Sequence, residues 1–223
     1  MNLNPVWITL QLATVTTVIL LLLGTPIAWW LAWSRARVRP VIEAVVALPL
    51  VLPPTVLGFY LLIMLSPDAW LGGLWLKASG SPLTFSFAGL VVGSVLYSLP
   101  FTVQPLQSAF MNVGRPTLEM GATLGASPID RFLNIVLPLS LRGYLVAAVL
   151  TFAHTVGEFG IVLMIGGNIP GKTQVLSIAI YEHVETIQYA NAHWLSAGLL
   201  AFSFAVLLLV YTLNGRRGFR VSS

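Results

Sequence analysis

Few residues within the long apolar segments of this sequence are able to do chemistry. The exceptions are His154 and Glu158, which lie four residues apart, so that both side chains share one face of a helix. An ionisable group in an apolar segment is costly, which makes the pair a candidate functional site. Three interpretations of Glu158 stay open: a hydrogen bond between helices, part of a gate, or direct contact with a substrate.

Two other patterns resemble catalytic motifs but lack the context that catalysis needs. The stretch GGNIPGKT at 166–173 formally matches the phosphate-binding loop G-x-x-x-x-G-K-T. It follows an apolar segment instead of a strand, so we reject it as a nucleotide site. The histidines His154, His183 and His193 have no zinc-type ligand partners, and cysteine is absent. The sequence therefore predicts no catalytic residue, no metal site and no cofactor in this chain.

Composition places these residues in a membrane. Of the 223 residues, 57% are apolar and 8% are charged, and the mean hydropathy is +0.89. These values lie outside the range of soluble domains. A helix needs about 20 residues to cross about 30 Å of hydrocarbon. We predict one all-α membrane domain over residues 1–223 with about five spanning segments: Val6 to Trp33, Ala44 to Leu65, Thr84 to Val113, Tyr144 to Gly167 and Trp194 to Leu213.

The cations predict the orientation of these segments. Nine of the eleven cations fall on one side of the predicted topology, and only Lys77 and Lys172 fall on the other. The positive-inside rule then places the N-terminus outside and the C-terminus in the cytoplasm. The net charge of +4 thus reflects topology and contact with lipid headgroups, not nucleic-acid binding. The nine are Arg35, Arg37, Arg39, Arg115, Arg131, Arg142, Arg216, Arg217 and Arg220.

Segment 173–189 is ambiguous. We interpret it as an interfacial or pathway-lining helix whose apolar face contains Leu176, Ile180, Val184 and Ile187. The alternative is a sixth span, which would bury two carboxylates.

Prolines mark a second feature of the apolar segments. They predict kinks in the second and third segments, at Pro49, Pro53, Pro54, Pro100 and Pro105. Neutral donors lie beside these kinks, and a gate or a transport pathway would use such groups. With the ionisable pair, the candidate gate or pathway residues are Thr55, Ser98, Thr102, Gln104, His154 and Glu158.

The longest polar interruption is the segment 114–142. Ser127, Pro128 and Asp130 form the S-P-x-D start of a helix, and Gly125 ends the helix before it. The second helix carries one apolar face and is expected to stop at Leu137-Pro138. Its face contains Ile129, Phe132, Leu133 and Val136. The alternative is an ordinary loop with a capped helix.

This interruption resembles the cytoplasmic signature of permease subunits of binding-protein-dependent ABC importers. Glu119, Gly125, Ile135, Leu137 and Pro138 fit that pattern, although EMG stands at 119–121 where the family has EAA, and Arg142 stands where relatives often have proline. The stretches LPLVLPPTVLGF at 48–59 and GEFGIVLMIGGNIPGKT at 157–173 resemble the molybdate-type permeases, whose close relatives are sulfate permeases.

The resemblance implies a type I ABC importer permease of the bacterial cytoplasmic (inner) membrane. Such a subunit works as a homodimer with two cytoplasmic ATPases, which hold ATP and Mg, and an extracytoplasmic oxyanion-binding protein. We expect it to move molybdate, with tungstate or sulfate as alternatives. Because a charged Glu158 would repel such an anion, we favour a structural or gating role for it. A secondary transporter or channel is the alternative from another class, but inverted repeats and filter motifs are missing.

The resemblance also assigns two contact surfaces. Loop residues Asn168 and Lys172 are candidates for docking the binding protein, with a plain turn as the alternative. The 114–142 segment would dock on the ATPase through Glu119, Gly121, Ala122, Gly125, Ser127, Ile129, Phe132 and Pro138.

Overall fold

The computed structural model describes residues 3–215, and this part of the chain is helical, without a β-strand. A 3₁₀ turn (Leu48–Leu50) follows the second helix, and a π-helical turn (Phe132–Val136) joins the seventh to the eighth. The helices are α1 (Asn4–Trp33), α2 (Arg39–Ala47), α3 (Pro54–Leu65), α4 (Trp70–Ser79), α5 (Phe87–Val113), α6 (Arg115–Thr123), α7 (Pro128–Arg131), α8 (Leu137–Leu139), α9 (Leu141–Val156), α10 (Gly160–Gly166), α11 (Leu176–Glu185) and α12 (Tyr189–Gly215).

The centre of the molecule is a bundle of α1, α5 and α9. Leu12 of α1 and Leu90 of α5 belong to one buried cluster, while Leu31 and Phe110 belong to a second. The first halves of α1 and α5 therefore pack together, and so do their second halves, which means that the two helices run in the same direction. Small residues permit this packing: a Cβ on Gly24 would lie 3.0 Å from Cγ2 of Thr102.

The second and fourth predicted segments are broken. The break in the second segment agrees with the kink predicted from its prolines, whereas the break in the fourth was not predicted. Residues Arg39–Leu50 comprise α2 and the 3₁₀ turn, and their axis differs from the axis of α3 by 107°. Pro53 and Pro54 explain this break, because Pro54 has no N–H and disfavours helical backbone at Pro53, which is extended at ψ 134°. In the fourth segment, α9 ends at Val156 and α10 begins at Gly160. By contrast, α5 continues through both of its prolines.

Three helices within residues 3–215 are long and apolar enough to span a membrane: α1, α5 and α12. Two bent helix pairs raise the number to five if each is one span: Arg39–Leu50 with Pro54–Leu65, and Pro128–Leu139 with Leu141–Val156. The total agrees with the predicted five, although the second pair extends before α9 and does not include α10. Helix α11 has ten residues and measures about 15 Å, too short for a sixth span. Its buried face holds Leu176, Ile178 and Ala179, whereas Val184 and Ile187 of the predicted apolar face are exposed.

The described arginines lie at one end of the bundle, which we call the arginine-rich end. It is formed by the end of α1, the end of α5 and the segment that connects α5 to α9. Lys77 lies in α4, between the end of α3 and the start of α5, and therefore at the opposite end. Three further predicted cations, Arg216, Arg217 and Arg220, lie outside the described residues.

Candidate functional site

The polar interruption folds into a helical hairpin, residues 115–139, at the arginine-rich end. Its turn requires glycine, because Gly125 has φ +85°, a conformation that L side chains rarely adopt. Ser127 then caps the second arm, since its Oγ accepts a hydrogen bond from the backbone N–H of Asp130 at 3.2 Å. The predicted glycine turn and the S-P-x-D helix start are both confirmed.

The two arms of the hairpin touch at Gly121. A Cβ at this position would lie 2.7 Å from Cδ1 of Ile135, and Arg131 reaches back to donate a 3.4 Å hydrogen bond to the carbonyl oxygen of Leu118. Arg131 therefore packs within the hairpin. Of the residues assigned to the ATPase contact, Gly121 is buried between the arms, whereas Ala122 and Gly125 are exposed.

The predicted apolar face of the second arm is divided between the two sides. Phe132 and Val136 face the bundle, and the Phe132 ring packs edge-on against Trp29 at a centroid distance of 5.3 Å. Ile129 is 72% exposed and Leu133 is also exposed. Together with Met120 and the 88% exposed Leu124, they give the hairpin an apolar outer surface. We call these four residues the hairpin tip. Glu119 is exposed on the same hairpin.

The second arm does not stop at Pro138, which corrects the sequence expectation. The π-helical turn precedes this proline, with the Leu137 N–H bonded to the carbonyl oxygen of Phe132. A π-helical turn widens the backbone, and it lets the helix continue through Pro138 to Leu139. The chain bends at Ser140 instead, where the axes of the second arm and α9 differ by 71°. The hairpin is thus joined to α9 by a single-residue hinge.

Glu158 lies in the gap between α9 and α10 and is 3% exposed. Ser94 of α5 donates a 2.5 Å hydrogen bond to its Oε2, and Ser98 donates one of 2.7 Å to its Oε1. With the Ser98 proton used in this way, its oxygen accepts from Nδ1 of His154 at 2.9 Å and from Thr155 at 3.0 Å. The buried carboxylate is therefore fully partnered, as a hydrogen-bonded link between helices.

The same gap is tied to α11. Ser177 donates a hydrogen bond to the backbone carbonyl of Glu158, and the Phe159 ring packs 5.0 Å from that of Tyr181. The His154 ring stacks on Phe101 at 3.9 Å. Glu158 thus links α5, α9 and α11 at the point where the fourth segment is interrupted. Movement of any of these helices would change the hydrogen bonds of this residue.

The other candidate pathway residues divide into buried and exposed ones. Thr102 bonds to Thr151 of α9 at 2.5 Å and, like Ser98, uses its hydroxyl inside the bundle. Thr55 and Gln104 are exposed. The structure therefore brings Ser98, His154 and Glu158 together and leaves Thr55, Thr102 and Gln104 apart from that cluster.

Gln104 is the first residue of a polar stripe on α5 that was not predicted from the sequence. Gln104, Ser108 and Asn112 are exposed and follow one another at intervals of four, so they share one face of α5. The i, i+4, i+8 spacing of polar residues in an apolar helix was the signal for it. Polar groups on a membrane-spanning helix are disfavoured against lipid, so this face is expected to meet water or protein.

The stripe leads to a cavity of about 330 Å³ between the end of α5 and the start of α9, which we call the Ser140 cavity. Ser108 and Asn112 line it with Arg142 and Ser140. Ser140 is 1% exposed, and its Oγ has no hydrogen-bond partner among the described residues. The cavity therefore offers a cation and neutral polar groups, directly at the hinge of the hairpin.

The opposite end carries a second polar cluster. Gln174 donates to the Asn168 side chain at 2.9 Å, and both amides donate to Oε2 of Glu182. Lys172 is exposed in the same loop. On α11, the hydrogen bond to the Glu185 carboxylate raises the pKa of Tyr181. Asn168 is therefore part of a hydrogen-bonded loop, while Lys172 is open to solvent.

Comparison with protein families and relatives agrees with this architecture. Residues 24–219 match the family of binding-protein-dependent transport system inner membrane components. The molybdenum transport system permease protein ModB of Azotobacter vinelandii is 56% identical over 211 residues, which cover 95% of this chain and 93% of the relative. The sulfate transport system permease protein CysT of Escherichia coli is 34% identical, over 96% of this chain and 77% of the relative.

Solved structures show the same fold. A bacterial alginate ABC transporter, in complex with a pentasaccharide-bound periplasmic protein, contains a chain with a TM-score of 0.75 and 15% identity. This match covers 99% of the present chain and 80% of that chain. An inward-facing MetNI methionine ABC transporter gives a TM-score of 0.69 at 19% identity and covers 94% of both chains. The predicted type I importer permease fold is confirmed.

Proposed function

Because this chain belongs to the family of binding-protein-dependent transport system inner membrane components, we propose that it is the membrane subunit that carries molybdate into the cell. The observation that carries the choice of anion is the 56% identity to a molybdenum permease along nearly the whole of both chains. The sulfate permeases are more distant, at 34% identity or less among the relatives compared.

ATP hydrolysis belongs to a partner in this proposal. The hairpin tip exposes four large apolar side chains in a chain segment that leaves the bundle, and such a patch marks a protein interface. We assign it to a cytoplasmic ATPase that holds ATP and Mg, with Glu119 and the Gly125 turn at the edge of the contact. Movement of the ATPase would tilt the hairpin about Ser140 and so move the start of α9.

The transport pathway requires a second copy of the chain. The polar stripe of α5 is unsuited to lipid, and in a homodimer two stripes would face each other across an aqueous path. Gln104, Ser108 and Asn112 offer neutral donors, which can bind an oxyanion without holding it too firmly to leave. Arg142 and Ser140 would stand at the mouth of this path. Glu158 is kept out of the path by its buried partners, in agreement with a structural role.

The charge distribution supports the orientation. With the arginine-rich end in the cytoplasm, the N-terminus is outside and the C-terminus inside, in a bacterial inner membrane. The loop with Asn168 and Lys172, together with exposed Thr55 of the broken second segment, then belongs to the extracytoplasmic half. We propose the loop as a contact for an oxyanion-binding protein.

The experiment that tests this function is uptake into vesicles. The permease is reconstituted with its ATPase, ATP inside and the oxyanion-binding protein outside, and the accumulation of molybdate, tungstate and sulfate is followed separately. We expect ATP-dependent accumulation of molybdate and little accumulation of sulfate at equal concentrations. Preferred uptake of sulfate would replace the assigned substrate. Uptake of molybdate without the ATPase would overturn the importer assignment itself.

A further inference from the structure

A second cavity, of about 360 Å³, lies between the end of α1 and the hairpin. We call it the arginine cavity. It is bounded by the two arms of the hairpin and by the aromatic side chains that close α1. The aromatic and charged residues that line it are Trp29, Trp33, Arg35, Arg115, Glu119 and Arg131.

The charges of the arginine cavity do not balance. Three guanidinium groups line it against one carboxylate, that of Glu119. The salt bridges within residues 3–215 join Arg39 to Glu43 and His154 to Glu158, so none of the three arginines is paired with Glu119. Like charges gathered around one cavity repel one another, and an anion between them would remove that repulsion.

Two buried donors belong to residues of the same cavity. Nε of Arg131 and Nε1 of Trp33 are buried and have no hydrogen-bond partner in the described part of the chain. Native structures leave few such groups, because an unsatisfied buried donor is expensive. Both residues line the arginine cavity, but these two atoms have almost no accessible surface, so an acceptor in the cavity would reach them only if the side chains moved.

A phosphate group meets these requirements. It offers several acceptor oxygens on one anionic centre, and guanidinium groups bind phosphate through paired hydrogen bonds. The cavity adjoins Trp29 and Trp33 at the end of the apolar α1, which is the position that tryptophan favours at the edge of a bilayer. Lipid headgroups lie at that level.

We propose that the arginine cavity binds the phosphate of an anionic lipid of the cytoplasmic leaflet. Arg35 belongs to the loop after α1, while Arg115 and Arg131 belong to the two arms of the hairpin, so one phosphate would fasten the hairpin to the bundle. This inference rests on the proposed function for its cytoplasmic orientation. It adds a lipid requirement for the hairpin that carries the ATPase.

The test measures lipid binding by the permease alone, so its outcome does not depend on transport. The chain is placed in phosphatidylcholine nanodiscs, phosphatidylglycerol is added in steps, and bound lipid is counted by native mass spectrometry. The variant Arg35→Gln with Arg115→Gln changes only exposed side chains and should preserve the fold. We expect roughly 25-fold weaker phosphatidylglycerol binding, at about fivefold for each of the two arginines near a membrane surface.

Arg37→Gln is the matched control, because Arg37 is exposed in the same loop but does not line the cavity. It should leave the binding within twofold of the original chain. Equal weakening by the control and the double variant would overturn the site. Binding of inorganic phosphate or molybdate in pure phosphatidylcholine, without any preference for phosphatidylglycerol, would overturn the lipid as the source. Phosphatidylglycerol binding that appears only after addition of the ATPase would overturn a site within this chain.

Discussion

Ser98 donates a 2.7 Å hydrogen bond to Oε1 of Glu158, across the interface between α5 and the gap that separates α9 from α10. The bond lies where the fourth membrane segment is interrupted, between Val156 and Gly160. Ser94 donates to the other carboxylate oxygen, so two side chains of α5 are bonded to this gap. Glu158 is therefore placed to hold a broken helix together.

Replacement of Glu158 tests this role. Glu158→Gln keeps an acceptor for Ser98 and an amide for Ser94, whose hydroxyl then accepts, so we expect little change in stability. Glu158→Ala leaves both hydroxyls without the carboxylate and should lower the free energy of unfolding by on the order of 2–3 kcal/mol. Thermal unfolding in one detergent measures the difference, expected to be about 4–12 °C. Glu119→Ala, at an exposed carboxylate, is the control. Equal midpoints for the two alanine variants would exclude the structural role.

The hairpin tip predicts a variant that separates docking from folding. Ile129→Asp with Leu133→Asp changes two exposed side chains, so the thermal midpoint of the isolated permease should stay constant. Binding of the ATPase should fall by on the order of 100-fold or more, because each side chain buries apolar area in the complex. Val38→Asp, at another exposed apolar residue of the arginine-rich end, is the matched control. Unchanged copurification of the ATPase would contradict the docking assignment.

Gly125 predicts a graded effect on the same hairpin. Its φ of +85° is closed to proline, whose φ lies near −65°, whereas asparagine tolerates left-handed backbone. Gly125→Pro should therefore abolish ATPase stimulation with membrane insertion intact, and Gly125→Asn should keep most of it. ATP hydrolysis by the reconstituted complex is the measurement. Similar stimulation in both variants would show that the turn conformation is unimportant.

The polar stripe predicts a transport defect without a folding defect. Gln104→Leu, Ser108→Ala and Asn112→Leu, each made singly, remove donors from an exposed face of α5 and should lower molybdate uptake severalfold. ATP hydrolysis by the partner ATPase, measured without the binding protein, should be unchanged, because these substitutions lie outside the hairpin. Val18→Leu, at an exposed apolar residue of α1, is the control and should transport normally. Normal uptake in all three stripe variants would place the path elsewhere.

The sequence predicted the parts of this structure that depend on local chemistry. The Ser127 cap, the Gly125 turn and the apolar segments follow from capping, from positive φ and from hydrophobic length. The bend at Ser140 did not follow, because it requires the π-helical turn that carries the helix through Pro138. The orientation of Phe132 also depends on a distant residue, Trp29, which no local pattern reveals.

Gly143 of α9 packs against Ala109 of α5, so exchanging the glycine and the alanine between the two positions tests this contact. A Cβ on Gly143 would overlap the Cβ of Ala109, directly beside the Ser140 hinge. Gly143→Ala should therefore push the two helices apart and lower the free energy of unfolding by about 1–3 kcal/mol. ATP-dependent molybdate uptake should fall as well. Adding Ala109→Gly restores the total volume and should recover most of the lost stability. Ala109→Gly alone is the control for the glycine in α5, with an expected loss of about 1 kcal/mol. If the double variant were no more stable than Gly143→Ala, the two helices would not be in contact at this point, and the hinge would not transmit hairpin movement through α9 to α5.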